Sequence, residues 1–388
     1  MTAPRVYITY TAGGGGHRSV ASALSQQLQS AYGWEVVLVN PYRDMGPYVD
    51  IFRILTGQRA EDLYNRLLRH FFPTYVPYPF FHVFYSLIRL NRAIYGWKAV
   101  QKMAEYWRRE CPDLVVSVMP LINDLLAKSL ELATAGTRLV TVMTDYDECT
   151  SGMWISPPLP YVICPSQRAL QRAARRGHPP EKILSAPGII VAPEFYEDSA
   201  AYKSEQRERL GLVRGIPAGL VMFGRQGASR LLNVARVMTR AQYPVQLIFV
   251  CGHDDQTADA IRALPTNYHK VVFGFVSDVH RHMAAADFFV GKPGPSSIAE
   301  ALARGLPMIL DFGWRTMLQD RYNAQWAADR GVAVLNRSMR KLPDSIRTLL
   351  DRYDQYSSAA RTASTGKALF DVAAMLERYV AGARVRSN

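Results

Sequence analysis

A chain of 388 residues, 48% of them hydrophobic, is too long for one ordinary core, so two domains are expected. The formal charge of +13 is spread over both halves, with 20 basic against 14 acidic residues in 1–190 and 26 against 19 beyond. That excludes a lone basic tail and leaves either a solvated basic surface or anionic partners: a nucleotide, nucleic acid or acidic lipid.

The four cysteines (Cys111, Cys149, Cys164, Cys251) lack C-x-x-C spacing, so neither a disulfide framework nor a zinc site is expected. No stretch approaches the ~18 apolar residues of a membrane span. Short apolar runs alternate with longer amphipathic segments, which predicts an α/β architecture with parallel sheets. The first predicted strand, Val6–Tyr10, leaves no room for a signal peptide, and a cytoplasmic protein is expected.

Thr11 to Arg18 then reads T-A-G-G-G-G-H-R, opening a helix that runs to about Ser30. It lacks the Gly-Lys-Ser/Thr of a phosphate-binding P-loop, and Arg18 stands where a dinucleotide fingerprint needs its third glycine. Four glycines permit close approach of a ligand or a tight structural turn. His17, at a helix N-terminus, is either a general base kept neutral by the dipole or a simple loop cap.

After a strand at Glu35–Val39, residues 71–85 carry eight aromatics and three prolines, with Arg66, Arg69 and Arg89 around them. The prolines argue against a regular helix through Pro79. The segment reads either as an interfacial element dipping into anionic lipid or as a loop packed on its own domain. Strands follow at Leu114–Val118, Leu139–Met143 and Tyr161–Cys164. Asp145-Tyr146-Asp147 sits between the last two; it resembles a metal-holding D-x-D, but a role for Asp145 in orienting His17 or the acceptor fits its place better. Ala186 to Pro193 is the expected hinge, followed by the polar segment Glu194–Gln206.

The second half opens on a strand at Leu220–Phe223 and the loop Phe223-Gly224-Arg225-Gln226-Gly227-Ala228-Ser229. The loop either binds diphosphate oxygens, with Arg225 as counter-charge, or is an ordinary turn. Strands at Gln246–Cys251, Val271–Phe273, Phe288–Val290 and Met308–Leu310 complete the alternation, and His280-Arg281-His282 is expected on a solvated helix face. Between the last two strands lies V-G-K-P-G-P-S-S-I-A-E-A-L-A-R-G-L-P, in which a helix is expected to open at Ser296/Ser297 and close at Gly305. Free backbone N–H groups and a dipole end there suit an anion, and Glu300, expected on the first turn, suits ribose hydroxyls. Ser297-x-x-Glu300 also reads as a plain capping box.

T-A-G-G-G-G-H-R, F-G-R-Q-G-A-S and G-K-P-G-P-S-S-I-A-E-A-L-A-R-G-L-P, in that order, resemble the monogalactosyldiacylglycerol synthase group of GT-B glycosyltransferases, a family that also includes the lipid-II-forming N-acetylglucosaminyltransferases. The resemblance implies a GT-B fold, two Rossmann-like domains facing a cleft: 1–190 for acceptor and membrane, 191–365 for the UDP-sugar, and 366–388 as a helix crossing back. It assigns Gly224, Arg225, Gln226, Gly227, Lys292, Gly294, Ser296 and Ser297 to the diphosphate, Phe275 and Val276 to the base, and Glu300 to the ribose. Gln319, Asp320 and Asn323 would contact the sugar, where Asp320 and Leu318 depart from the family pattern.

The implied chemistry is inverting transfer of galactose or glucose from the UDP-sugar co-substrate to a lipid hydroxyl, diacylglycerol before others, with His17 or Asp145 as base. No metal or other cofactor is implied, and no nucleic acid is expected. Gly15, Gly16, Phe71, Phe72, Tyr75, Phe80, Phe81 and Trp154 would face the acceptor or an anionic membrane, placing the enzyme on the inner face of the cell membrane. The alternatives are a polyprenyl-linked or soluble acceptor, or a protein that binds a nucleotide sugar without turnover.

Overall fold

The computed structural model describes the chain except residues 1–2, 14, 71–77, 134–135, 149–151, 158–159, 198–199, 225–226, 242, 314–315, 364–366 and 386–388. Backbone alone is described at 67–70, 78–82, 84–85, 200–201, 228, 318–319 and 382–385. The chain divides into two compact units: Met1–Pro193 with Lys367–Asn388, and Glu194–Gly366.

The first unit holds six parallel strands, β1 (Arg5–Thr9), β2 (Glu35–Val39), β3 (Leu114–Ser117), β4 (Arg138–Val142), β5 (Tyr161–Cys164) and β6 (Ile183–Ser185), in the order β2-β1-β3-β4-β5-β6. All four residues of β3 are buried, an apolar run from Leu114 to Val116 closed by Ser117, as in a strand covered on both faces. The order reverses direction between β1 and β3, and in open α/β sheets ligands sit outside the strand C-termini at such a reversal. Helix Ala368–Val385, at the end of the chain, belongs to this unit and packs against helix Gly16–Tyr32. Its Tyr379 meets Tyr161 edge to face, with ring centroids 4.5 Å apart.

The second unit repeats the plan with β7 (Ala218–Met222), β8 (Gln246–Val250), β9 (Lys270–Phe273), β10 (Phe288–Gly291), β11 (Met308–Asp311) and β12 (Ala333–Asn336), ordered β12-β11-β10-β7-β8-β9. This is the doubly wound dinucleotide-fold order, and its reversal lies between β7 and β10. The two strands approach closely there because Gly291 has no side chain. A Cβ on it would stand 2.5 Å from the Met222 carbonyl oxygen and 2.4 Å from the Phe289 ring.

Two strands, β6 and β12, were not expected from the sequence; both are edges of their sheets, short and only partly buried. The polar segment after Pro193 forms a 3-10 turn, Pro193–Tyr196, and helix Ala200–Arg209. A 33-residue helix, Tyr78–Glu110, corrects the expectation that Pro79 excludes a helix. Pro79 is its second residue, where a missing N–H breaks no intrahelical bond. His282 is also corrected: it is buried, with Nδ1 3.1 Å from the Asp278 carbonyl oxygen and its ring against Phe273.

Candidate active site

In the first unit the functional side chains gather at the β1/β3 reversal. Gly15 takes φ of 97° as N-cap of helix Gly16–Tyr32, a left-handed conformation that favours glycine, and it brings no side-chain cap. His17 therefore stands on the first turn at the C-terminal edge of the sheet. Its Nδ1 lies 3.0 Å from the Val118 carbonyl oxygen and 2.8 Å from Thr144 Oγ1. A carbonyl can only accept, so Nδ1 carries the proton and Nε2 keeps its lone pair. Burial lowers the His17 pKa to about 4, against a smaller opposing effect of the Val118 bond, so the ring is neutral at pH 7.

Asp145 does not orient His17. Its Oδ2 accepts from Trp154 Nε1 at 2.9 Å, and the Trp154 ring lies 6.0 Å from the His17 ring, tilted by 52°. Trp154 itself is 2% exposed, which corrects its expected place against lipid. Its backbone N–H donates to Glu148 at 3.0 Å and its carbonyl accepts from Asn123 Nδ2 at 3.1 Å, so it is a buried wall behind the histidine. Asp147, the other acid of the D-x-D, is taken up by Arg168 at 2.7 Å and Arg172 at 2.6 Å. Among the described residues no group of three or more His, Cys, Asp or Glu side chains is placed to hold a metal ion.

A residue the sequence reading passed over, Glu61 on helix Ala60–His70, is buried against the glycine loop and accepts from the Ala12 backbone N–H at 2.9 Å. An acid in a helix first turn looks like an ordinary solvated charge, so nothing in the sequence marked it.

In the second unit the groups gather where β7 and β10 part. Gly224 follows β7 with φ of 66°, and a side chain on Gly227 would stand 2.4 Å from Phe223 Cβ. After β10, helix Pro295–Ala303 starts from N-cap Gly294, which offers no side-chain cap. Proline at the first helical position has no N–H to lose and a φ already set for the helix, so the start falls earlier than expected from the serines. Ser297 and Glu300 are then no capping box, and Glu300 belongs to the second turn.

The Lys292 side chain lies along this opening: a Cβ on Gly294 would stand 3.3 Å from Lys292 Cε, and one on Gly224 would stand 4.0 Å from it. Lys292 Nζ is 3.7 Å from Asp320 Oδ2, and Asp320 is buried, so the ammonium is held over the helix N-terminus. Cation, free N–H groups and helix dipole together make an anion site. Glu300 has no hydrogen-bond partner for its carboxylate among the described residues, and burial raises its pKa to about 7.

Asn323 is fully buried and its Nδ2 donates to the Pro293 carbonyl oxygen at 3.3 Å, bracing the loop. Phe275 is 63% exposed after β9 and stacks on His253, with ring centroids 4.3 Å apart, while Val276 is half-buried beside it. Ser296 is half-buried on the first turn of the 295–303 helix. Arg225, Gln226, Phe71, Phe72 and Tyr75 lie outside the described residues, as do the side chains of Phe80, Phe81 and Gln319.

Beyond Phe81, helix Tyr78–Glu110 exposes Val83 (55%), Leu90 (49%), Ile94 (57%) and Trp97 (63%). Steps of seven, four and three residues put all four on one helix face, with exposed Arg89 and Lys98 nearby. Among the described residues no helix is long and apolar enough to cross a membrane.

Two nucleotide-type units with such sites define the GT-B class of glycosyltransferases. Acinetobacter baumannii MurG matches the fold with a TM-score of 0.62 at 15% identity, over 97% of this chain and 100% of that one. The glycosyltransferase VinC in complex with dTDP matches with 0.56 at 17% identity, over 97% and 99%. Residues 17–191 fit the monogalactosyldiacylglycerol synthase family model, and residues 220–378 fit the glycosyltransferase family 28 C-terminal domain. The chloroplastic monogalactosyldiacylglycerol synthase of Spinacia oleracea is 27% identical over 360 residues, which is 88% of this chain and 65% of the spinach protein. Monogalactosyldiacylglycerol synthase 2 of Arabidopsis thaliana is 27% identical over 382 residues, 92% of this chain and 77% of that protein. The chain is a GT-B glycosyltransferase that is similar to the monogalactosyldiacylglycerol synthases over most of its length.

Proposed function

We propose that this protein moves a hexose, galactose or glucose, from a UDP-sugar to the free hydroxyl of diacylglycerol, with inversion and without a metal cofactor, while bound peripherally at the inner face of an anionic membrane. One observation carries the donor half: a carboxylate with no hydrogen-bond partner among the described residues, Glu300, six positions into a helix whose uncapped N-terminus lies under Lys292. A ribose diol satisfies the first and a diphosphate the second. Exposed Phe275 beside β9 gives a nucleobase an aromatic edge to meet.

The acceptor half rests on His17. The acceptor oxygen forms a bond to the anomeric carbon as the bond from that carbon to the diphosphate oxygen breaks, and the electron pair leaves with UDP. The hydroxyl proton passes to His17 Nε2, and Lys292 with the helix N–H groups stabilises the charge that grows on the diphosphate, each such donor contributing about 3 kcal/mol. The apolar stripe from Val83 to Trp97 and the net charge of +13 support a membrane surface as the place where the lipid is met. The relatives' printed names support the galactolipid product over other glycosides.

The test offers radiolabelled UDP-galactose and UDP-glucose separately to diacylglycerol in anionic vesicles, with a chelator present. Label in the lipid phase supports the reading, and the preferred sugar identifies the donor. UDP release into water without lipid label discards the lipid acceptor, and label that depends on added metal discards the metal-free mechanism.

A further inference from the structure

A loop with four glycines has no conformational preference of its own, so whatever fixes it must come from elsewhere in the fold. The hold comes from one face of helix Ala60–His70. Glu61 takes the Ala12 backbone N–H at 2.9 Å, and Asn65, one turn on, donates to the Ala12 carbonyl oxygen at 3.1 Å. Both backbone polar groups of Ala12 are therefore engaged by residues spaced i, i+4. Between them Tyr64 lies 3.7 Å from the position a Cβ on Gly13 would occupy.

The Glu61 carboxylate also accepts from Thr11 Oγ1 at 3.2 Å, and Thr11 Oγ1 in turn accepts from the Gly13 N–H at 3.2 Å. Both Glu61 oxygens stand 3.0 Å from Asn40 Nδ2, at the end of β2. A carboxylate only 5% exposed is costly to bury, and here these donors offset the cost. Loop, helix and sheet thus meet at the Glu61 side chain, which grips the loop at Ala12, four residues before the start of the helix that carries His17.

We infer that Glu61 and Asn65 are positioning residues that set the glycine loop so that His17 Nε2 stands at the acceptor. This rests on the proposed transfer reaction. Glu61→Ala then lowers kcat by about ten- to a hundred-fold and leaves the KM for UDP-sugar and the affinity for UDP within about two-fold, because the donor site is on the other unit. Glu61→Gln keeps an acceptor for the Ala12 N–H and recovers part of the rate, Asn65→Ala loses less than Glu61→Ala, and Asp62→Ala, exposed on the same helix, changes nothing. Amide hydrogen exchange over residues 10–18 rises in Glu61→Ala and returns toward wild type in Glu61→Gln.

Unchanged exchange in that peptide, or an unchanged kcat in Glu61→Ala, overturns the inference. So does a loss of UDP affinity that parallels the loss of kcat in Glu61→Gln. If the wild-type protein transfers no sugar, the reaction reading fails, and the exchange measurement alone decides the loop.

Discussion

His17 Nδ1 lies 3.0 Å from the carbonyl oxygen of Val118, and that contact decides which ring nitrogen is left to accept a proton. The carbonyl accepts the Nδ1 proton, so the lone pair is on Nε2, the atom left to take a proton from an acceptor hydroxyl. The sheet reversal supplies the carbonyl: Val118 follows β3, and its own N–H donates to Thr9 at the end of β1 at 3.0 Å.

The pH profile follows from this. The base works only when neutral, and burial has lowered its pKa to about 4. The protonated form accumulates only as pH falls through that value, so kcat at saturating UDP-sugar stays level from neutrality well below the ordinary histidine pKa of about 6.5 and drops near 4. His17→Ala lowers kcat by about 10²- to 10⁴-fold with little change in UDP affinity. A profile that bends near the ordinary histidine value instead, or a His17→Ala variant that keeps its rate, removes His17 as the base.

Glu300 makes the opposite kind of prediction. Its pKa stands near 7 because burial opposes the charge, and ribose hydroxyls that donate to it favour the ionised form. UDP therefore binds the deprotonated enzyme, its apparent Kd rises about ten-fold per unit as pH falls below that value, and binding at neutral pH releases protons. Calorimetry in two buffers of different ionisation heat reads that release directly. The sign for stability runs the other way. The folded state holds this proton between the ordinary value of 4.5 and about 7, so the contribution to stability is lost as pH rises through 7. Glu300→Gln thus raises the melting temperature at pH 8, scarcely moves it at pH 4.5, and weakens UDP binding. No proton release on binding removes Glu300 from the ribose.

How much of this was legible in the sequence depends on the kind of residue. Central strands such as β3 and β8 are apolar on both faces, and their runs announced two parallel sheets. The edge strands β6 and β12 escaped because partly solvated three- or four-residue segments carry no periodicity. Glycines and His17 drew attention as residue types. Burial and partners were invisible: Trp154 was expected to face acceptor or lipid and is a buried wall, Asp145 was expected to orient His17 or the acceptor and accepts from that tryptophan, and Glu61 looked like any first-turn acid. Helix starts were misplaced where proline chemistry decided the register, at Pro79 and Pro295.

The stripe of Val83, Leu90, Ile94 and Trp97 predicts a membrane-binding defect separable from catalysis. Each large apolar side chain that leaves water contributes about 2 kcal/mol, so Ile94→Asp with Trp97→Asp lowers partition onto anionic vesicles by about ten-fold or more. These side chains are already more than half exposed, so the melting temperature does not fall. Sedimentation with vesicles, repeated at rising salt, checks both the apolar and the charged part. Unchanged partition in the double variant moves the contact elsewhere.

Trp154 separates a wall from a lipid contact. Trp154→Phe keeps an aromatic ring behind His17 but removes the indole N–H that Asp145 accepts at 2.9 Å. A buried carboxylate left without that donor costs about 1–3 kcal/mol, so the melting temperature falls by several degrees. Vesicle partition should not change, because only 2% of the residue meets solvent. The rate should fall as well, since the ring that stands 6.0 Å from His17 is then free to shift. Asp145→Asn, with Trp154 intact, keeps an oxygen that accepts from the indole, and it should cost much less stability than Trp154→Phe. Were vesicle binding instead to weaken in Trp154→Phe at unchanged stability, the side chain would have to leave its buried seat in the working enzyme, and the wall would be one state of a moving part.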